Sequence, residues 1–69
     1  MKKEIKIDGM HCEHCVARVD SALAGLNGVN KVKVNLKKGL AKIECEDSVA
    51  DDAIKAAVAD LGFAVTAID

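Results

Sequence analysis

From Lys3 to Asp8, polar and apolar residues alternate, with Ile5 and Ile7 on one face and Lys6 and Asp8 on the other. This period of two predicts a half-buried strand that ends at Gly9. The period then lengthens. Between about His14 and Leu26, the residues Val16, Val19, Leu23 and Leu26 recur every three or four positions, which predicts one apolar stripe of a helix, stopped between Gly25 and Gly28. Alternation returns with Val32, Val34 and Leu36 against Lys31, Lys33 and Asn35. Beyond Lys37-Lys38-Gly39 it continues with Ala41, Ile43 and Cys45 against Lys42 and Glu44. A hairpin with one wet, charged face follows. Ser48-Val49-Ala50-Asp51 reads as a capping box with Asp in place of the usual Glu or Gln, and Asp51 and Asp52 suit the positive amino end of a helix. That helix is expected to run to about Leu61, burying Ile54, Ala57, Val58 and Leu61, and to stop at Gly62. Ala64 to Ile68 supplies a last short strand.

The order is βαββαβ, with no proline-rich or low-complexity tract to divide it, so residues 1–69 are read as one domain. The segments Ala22 to Val29 and Ala57 to Val65 both run from helix end through Leu and Gly into an apolar strand, a faint echo of two related halves. Strands split by helices on a sheet with one wet face predict an α+β, ferredoxin-like open-faced sandwich, four antiparallel strands with two helices on one face. Right-handed crossovers put strand two parallel to strand one, with strand three between them. The loop after strand one, the Lys37-Lys38-Gly39 turn and the Gly62-Phe63 loop then share one end of the sheet, and Cys45 lies at the other.

Composition narrows the chemistry. Of the 69 residues 51% are hydrophobic, yet Phe63 is the lone aromatic, so the core must be built of Val, Ile, Leu and Ala. A domain this small is close to the size below which a core alone no longer holds a chain together. The formal net charge of −1 gives no general attraction to nucleic acid or anionic membrane, and no aromatic on a predicted strand is available to stack bases. The opening Met1-Lys2-Lys3-Glu4 leads straight into alternation, without a secretory apolar run or a stretch long enough to span a bilayer. A cytoplasmic protein without membrane insertion is expected.

Three cysteines cannot all pair within one chain, and in a reducing compartment a CxxC is better read as a metal or redox site than as a structural bridge. Cys12 and Cys15 sit in Gly9-Met10-His11-Cys12-Glu13-His14-Cys15, between the first strand and the first helix. Two cysteines three positions apart can aim both sulfurs at one point, and the helix's amino end favours thiolate over thiol. A structural zinc site wants four ligands, and this chain offers one CxxC, two histidines and a distant Cys45. Two thiolates suit a soft cation of low coordination number, best matched by Cu(I). A dithiol redox protein is the alternative, although that chemistry usually has Trp and Pro around its cysteines and this chain has neither. Nucleophilic catalysis by Cys15 with His14 as base lacks an orienting third group and pocket-forming material, so no enzymatic activity is expected. An acyl-phosphate hydrolase of the same topology would need a phosphate-cradling loop where the CxxC stands.

Around the two thiolates stand Met10, His14 and Phe63. Met10 could be a third soft ligand, but an apolar residue after Gly9 is expected to tuck beneath the loop and anchor it. His14 could approach the metal and is read, like His11, as a solvent-exposed residue. Phe63 is expected to shield the sulfurs, with ordinary packing as the other reading. Cys45 is read as a small buried hydrophobe.

The run Gly9 to Cys15 resembles the GMxCxxC signature of heavy-metal-associated domains, and the similarity extends over the whole chain. It is most like bacterial cytosolic copper chaperones, with a His before the second cysteine and Cys15-Val16-Ala17-Arg18-Val19 opening the helix. The resemblance implies Cu(I) held by Cys12 and Cys15 and delivered to a copper-transporting P-type ATPase or a copper-responsive repressor. It also implies a monomer when apo and a metal-bridged dimer as a further state. Hg(II), Ag(I) and Zn(II) are other metals such thiolates accept. Phe63 looks like the aromatic of ATPase-tethered domains, so an amino-terminal metal-binding domain of such an ATPase is the alternative, as is a mercury-binding relative.

Overall fold

A computed structural model describes all 69 residues. Strand β1 (Lys2–Asp8) leads to helix α1 (Glu13–Ala24), strands β2 (Val29–Asn35) and β3 (Leu40–Cys45), helix α2 (Asp51–Ala59) and strand β4 (Ala64–Ile68). The sheet runs β2-β3-β1-β4. Because β3 is antiparallel to both β1 and β2, those two are parallel with β3 between them. The βαββαβ sandwich expected from the periodicities is the observed one.

Parity along the strands decides what the helices cover. Ile5 and Ile7 of β1 face them with Ala41, Ile43 and Cys45 of β3, while α1 contributes Val19 and Leu23 and α2 contributes Ile54 and Val58. Ile5, Val19, Leu23, Ile54 and Val58 have no exposed surface. Burying a side chain of this size is worth about 1.5–3 kcal/mol, and no aromatic is needed to close the core. Helix α1 lies over β2 and α2 over β4, and the two helices touch.

The capping expected from Ser48 does not occur. The N-cap of α2 is Ala50, which has no side chain to cap with, and its carbonyl accepts from the amides of Ala53 and Ile54. Tertiary packing replaces the cap. Val49 and Ile54, the residues that flank such a helix start as a hydrophobic staple, belong to one buried cluster. Lys3, on the helix-facing side of β1, then reaches across to donate to Asp51 Oδ1 at 2.5 Å and to the Val49 carbonyl at 3.3 Å. Its side chain is 15% exposed, and the Asp51 carboxylate holds its pKa above the ordinary lysine value. At the other helix, α1 ends two residues before Leu26, whose amide closes a turn onto Leu23.

One end of this sandwich collects three loops. The Ile7 amide donates to the Gly39 carbonyl at 2.8 Å, joining the β1 end to the hairpin turn, and Phe63 lies against Gly9. At the opposite end the Cys45 amide donates to the Met1 carbonyl.

Candidate metal centre

Gly9 starts the site. Its φ of +104° lies in the region a side chain disfavours, and a Cβ there would stand 3.1 Å from Phe63 Cδ1. Glycine therefore lets the chain turn sharply out of β1 while the Phe63 ring seats against the turn. The turn sends Met10 inward. It is 7% exposed and part of the core cluster, which makes it the anchor of the loop and removes it from the outer surface where the thiols lie.

Cys12 occupies the N-cap of α1 in an extended conformation, with no side-chain capping bond. The first intrahelical bond runs from the Val16 amide to the Cys12 carbonyl, so the preceding first-turn amides have no partner within the helix. Ser, Thr, Asp or Asn would cap this end better. A cysteine here gives up that capping and places its sulfur beside the helix's positive end. Cys15 falls one turn later on the same side.

The two sulfurs stand 3.2 Å apart, and all three cysteines are free thiols. Cys12 is exposed, Cys15 is partly buried against the core, and Cys45 is buried at the far end. The Cys15 thiol is lowered from its ordinary value of 9.0, first by a hydrogen bond from the His11 backbone and next by the Cys12 side chain and backbone, with a smaller contribution from the Arg18 charge. The residue names in the loop carry no sign of this, since the donor at His11 is its main chain.

The other sequence candidates fall outside the pair. His14 is exposed and lines a groove along α1 with Ala17, Arg18, Ser21 and Leu61. His11, also exposed, borders a groove shared with Lys37 and Lys38. Phe63 is half-buried against Gly9, touching the loop's backbone. Nowhere do three or more His, Cys, Asp or Glu side chains come together. The arrangement sets two soft sulfur atoms side by side with the Cys12 side open to solvent.

The heavy-metal-associated domain model matches residues 4–64. The copper chaperone CopZ of Staphylococcus epidermidis is 45% identical over 65 residues, covering 93% of this chain and 96% of that protein. A solved CopZ metallochaperone superposes with a TM-score of 0.91 at 36% identity, covering 96% of this chain and 100% of that one. A copper binding domain from a P-type ATPase superposes at 0.87 with 32% identity, covering 100% and 99%. With the family model spanning nearly all of its elements, the chain belongs to the heavy-metal-associated domain family.

Proposed function

We propose that this protein is a Cu(I) metallochaperone that holds one ion on Cys12 and Cys15 and passes it to a copper-transporting P-type ATPase by thiolate exchange. The observation that carries the reading is the pair of free thiols 3.2 Å apart where the β1–α1 loop enters α1, Cys12 exposed and Cys15 partly buried, with no third protein donor. Its support from relatives is the likeness to copper chaperones over nearly the full length of both chains.

The residues divide the work by exposure. Cys15, already biased toward thiolate by the loop amides, is the fixed donor. Cys12, exposed at the N-cap, has room to swing outward. A partner's thiolate joins on that open side, Cys12 leaves first, and Cys15 releases last. Both thiols give up protons on loading, so uptake is pH-dependent. Met10 and Phe63 hold the loop from beneath, and Phe63 limits water at its base. The thiols must stay reduced, which fits a cytoplasmic location. A copper-responsive repressor with free thiolates is a second recipient, and two copies sharing an ion across their Cys12 sides form a metal-bridged dimer, the apo protein remaining monomeric. Hg(II) and Ag(I) fit the same two soft donors, whereas Zn(II) lacks two of its four.

Anaerobic titration followed by native mass spectrometry tests the site. One Cu(I) per chain is expected, with sharp loss in Cys12→Ser or Cys15→Ser, and full affinity in Cys15→Ser overturns the assignment. Arg18 beside Cys15 and the exposed Lys37 and Lys38 supply positive charge around the metal end. Reversing all three to Glu is expected to leave affinity nearly unchanged and to slow transfer to an ATPase domain, with weaker salt dependence. Equally fast transfer at low salt shows that this face does not dock.

The likeness to the ATPase copper binding domain, which covers 99% of that chain, favours one second reading, a tethered domain that receives the ion. Both readings use the same thiols, and the length of the natural polypeptide in cell extracts separates them.

A further inference from the structure

The net charge of −1 conceals a separation of charge between the two layers. Lys2, Lys6, Lys31, Lys33 and Lys42 project from the open face of the sheet and outnumber Glu4, Asp8 and Glu44 there, whereas on the helices and the loops that join them Glu13, Asp20, Glu46, Asp47, Asp51, Asp52 and Asp60 outnumber Arg18 and Lys55. On the open face the register makes rows. Lys31, Glu44 and Lys2 form one, and Glu44 lies 3.8 Å from both lysines. The next row sets Lys33 directly opposite Lys42. Like charges in that position repel, and neither lysine makes an ion pair, although Glu4 stands across from Lys42 on β1. The two rows floor a shallow trough of about 830 Å³.

We propose that this trough is a docking surface for an extended acidic polypeptide segment, on the layer opposite the helices and separate from the metal end. An extended chain presents alternate side chains on one side about 6.6–6.8 Å apart, the spacing of Lys31 and Lys33 along β2. One carboxylate of such a segment reaches Lys33 and Lys42 together, which stand directly across from each other on neighbouring strands, and relieves their mutual repulsion, while the next at that period falls beside Lys31. The trough also contains Glu4, Glu44 and Asp69, which a uniformly anionic lipid surface meets with repulsion and a patterned peptide avoids. A second copy of the chain is a poorer occupant, since Asp51 at the acidic α2 end is already engaged by Lys3. Because the face lies behind the sheet, a segment bound there leaves Cys12 and Cys15 free. The proposal does not depend on which metal the thiols carry.

The test is titration of the isotopically labelled apo protein with a synthetic peptide alternating Glu and Val, read by amide NMR shifts. The expected result is movement of Lys31, Lys33 and Lys42 with Gly9 to Cys15 unmoved, and an affinity that falls between about 0.01 M and about 0.15 M ionic strength. Lys33→Glu with Lys42→Glu is expected to weaken binding about tenfold or more, and Lys33→Gln with Lys42→Gln, which also removes the repulsion, serves as the folded control with reduced binding. Unchanged affinity in both variants overturns the proposal, as do equal shifts at Arg18, Lys37 and Lys38. Binding of phosphatidylserine vesicles that depends on Lys33 and Lys42 replaces the peptide with a lipid surface. Concentration-dependent shifts at these residues without peptide replace it with a second copy.

Discussion

Replacing Met10 by Ala separates an anchor from a ligand. The side chain is 7% exposed and packs in the core cluster, and truncating a buried Met to Ala costs about 2–5 kcal/mol. Met10 sits at the margin of the core beneath an exposed loop that can partly collapse, so the low end, about 2–3 kcal/mol, applies. A domain of this length has a total stability of roughly 3–10 kcal/mol, and the substitution removes a large share of it. The melting temperature should fall by about 10–20 °C, and the urea midpoint by about 2 M at a slope near 1 kcal/mol/M. Far-ultraviolet circular dichroism reads both, since the chain has no Trp or Tyr. Met10→Leu keeps the volume and costs less than about 1.5 kcal/mol, yet it removes the thioether as completely as Ala does. An anchor predicts near-normal stability and unchanged Cu(I) affinity for Met10→Leu, measured by competition with a chromophoric Cu(I) chelator. If Met10→Leu loses tenfold or more in affinity, sulfur at this position is a donor and the reasoning from burial is wrong.

The thiolate bias of Cys15 has a defined sign. Its folded-state pKa is lowered, so the interaction adds stability above the unfolded thiol's pKa, and that stability is lost as pH falls through the folded value. Alkylation of Cys15 in a protein carrying Cys12→Ser and Cys45→Ala should therefore titrate below 9.0, and adding Arg18→Glu should move the midpoint up; an ordinary midpoint refutes the role of the loop amides, because Cys12 Sγ is absent from that variant. Cys45→Ala should leave metal stoichiometry at one and cost about 1 kcal/mol in thermal or urea unfolding, whereas Cys45→Asp, a charge placed unpaired in the core, should prevent folding; metal loss in the Ala variant contradicts the burial. Asp51→Ala should destabilise more than Lys3→Met with Asp51→Ala, since the single change leaves a mostly covered ammonium without its carboxylate. Equal melting temperatures for the two show that the unpaired ammonium carries no cost at that position.

Much of this molecule was legible from alternation alone. Parity put Ile5, Ile7, Ala41, Ile43 and Cys45 on the covered face, and the βαββαβ order placed the CxxC loop, the Lys37-Lys38-Gly39 turn and Phe63 at one end, because a half-buried strand has only one way to hide its apolar side. The CxxC spacing likewise placed the two sulfurs side by side, since it brings them together through local chain geometry. What tertiary structure decided depends on residues far apart in the chain. Ser48 has the residue type of a cap, but Val49 in the core and Lys3 from β1 set the start of α2 at Ala50 instead. Parity aligned Lys3 with Ile5, yet only the approach of Asp51 shows how a lysine is tolerated on that face. The His11 amide that biases Cys15 is a main-chain group, identical at every residue but proline, and becomes informative only when the loop closes. Net charge, finally, is a sum over the chain and carries no direction; the opposition of Lys33 to Lys42 and the division of charge between the layers exist only once strand register has set which side chains share a face.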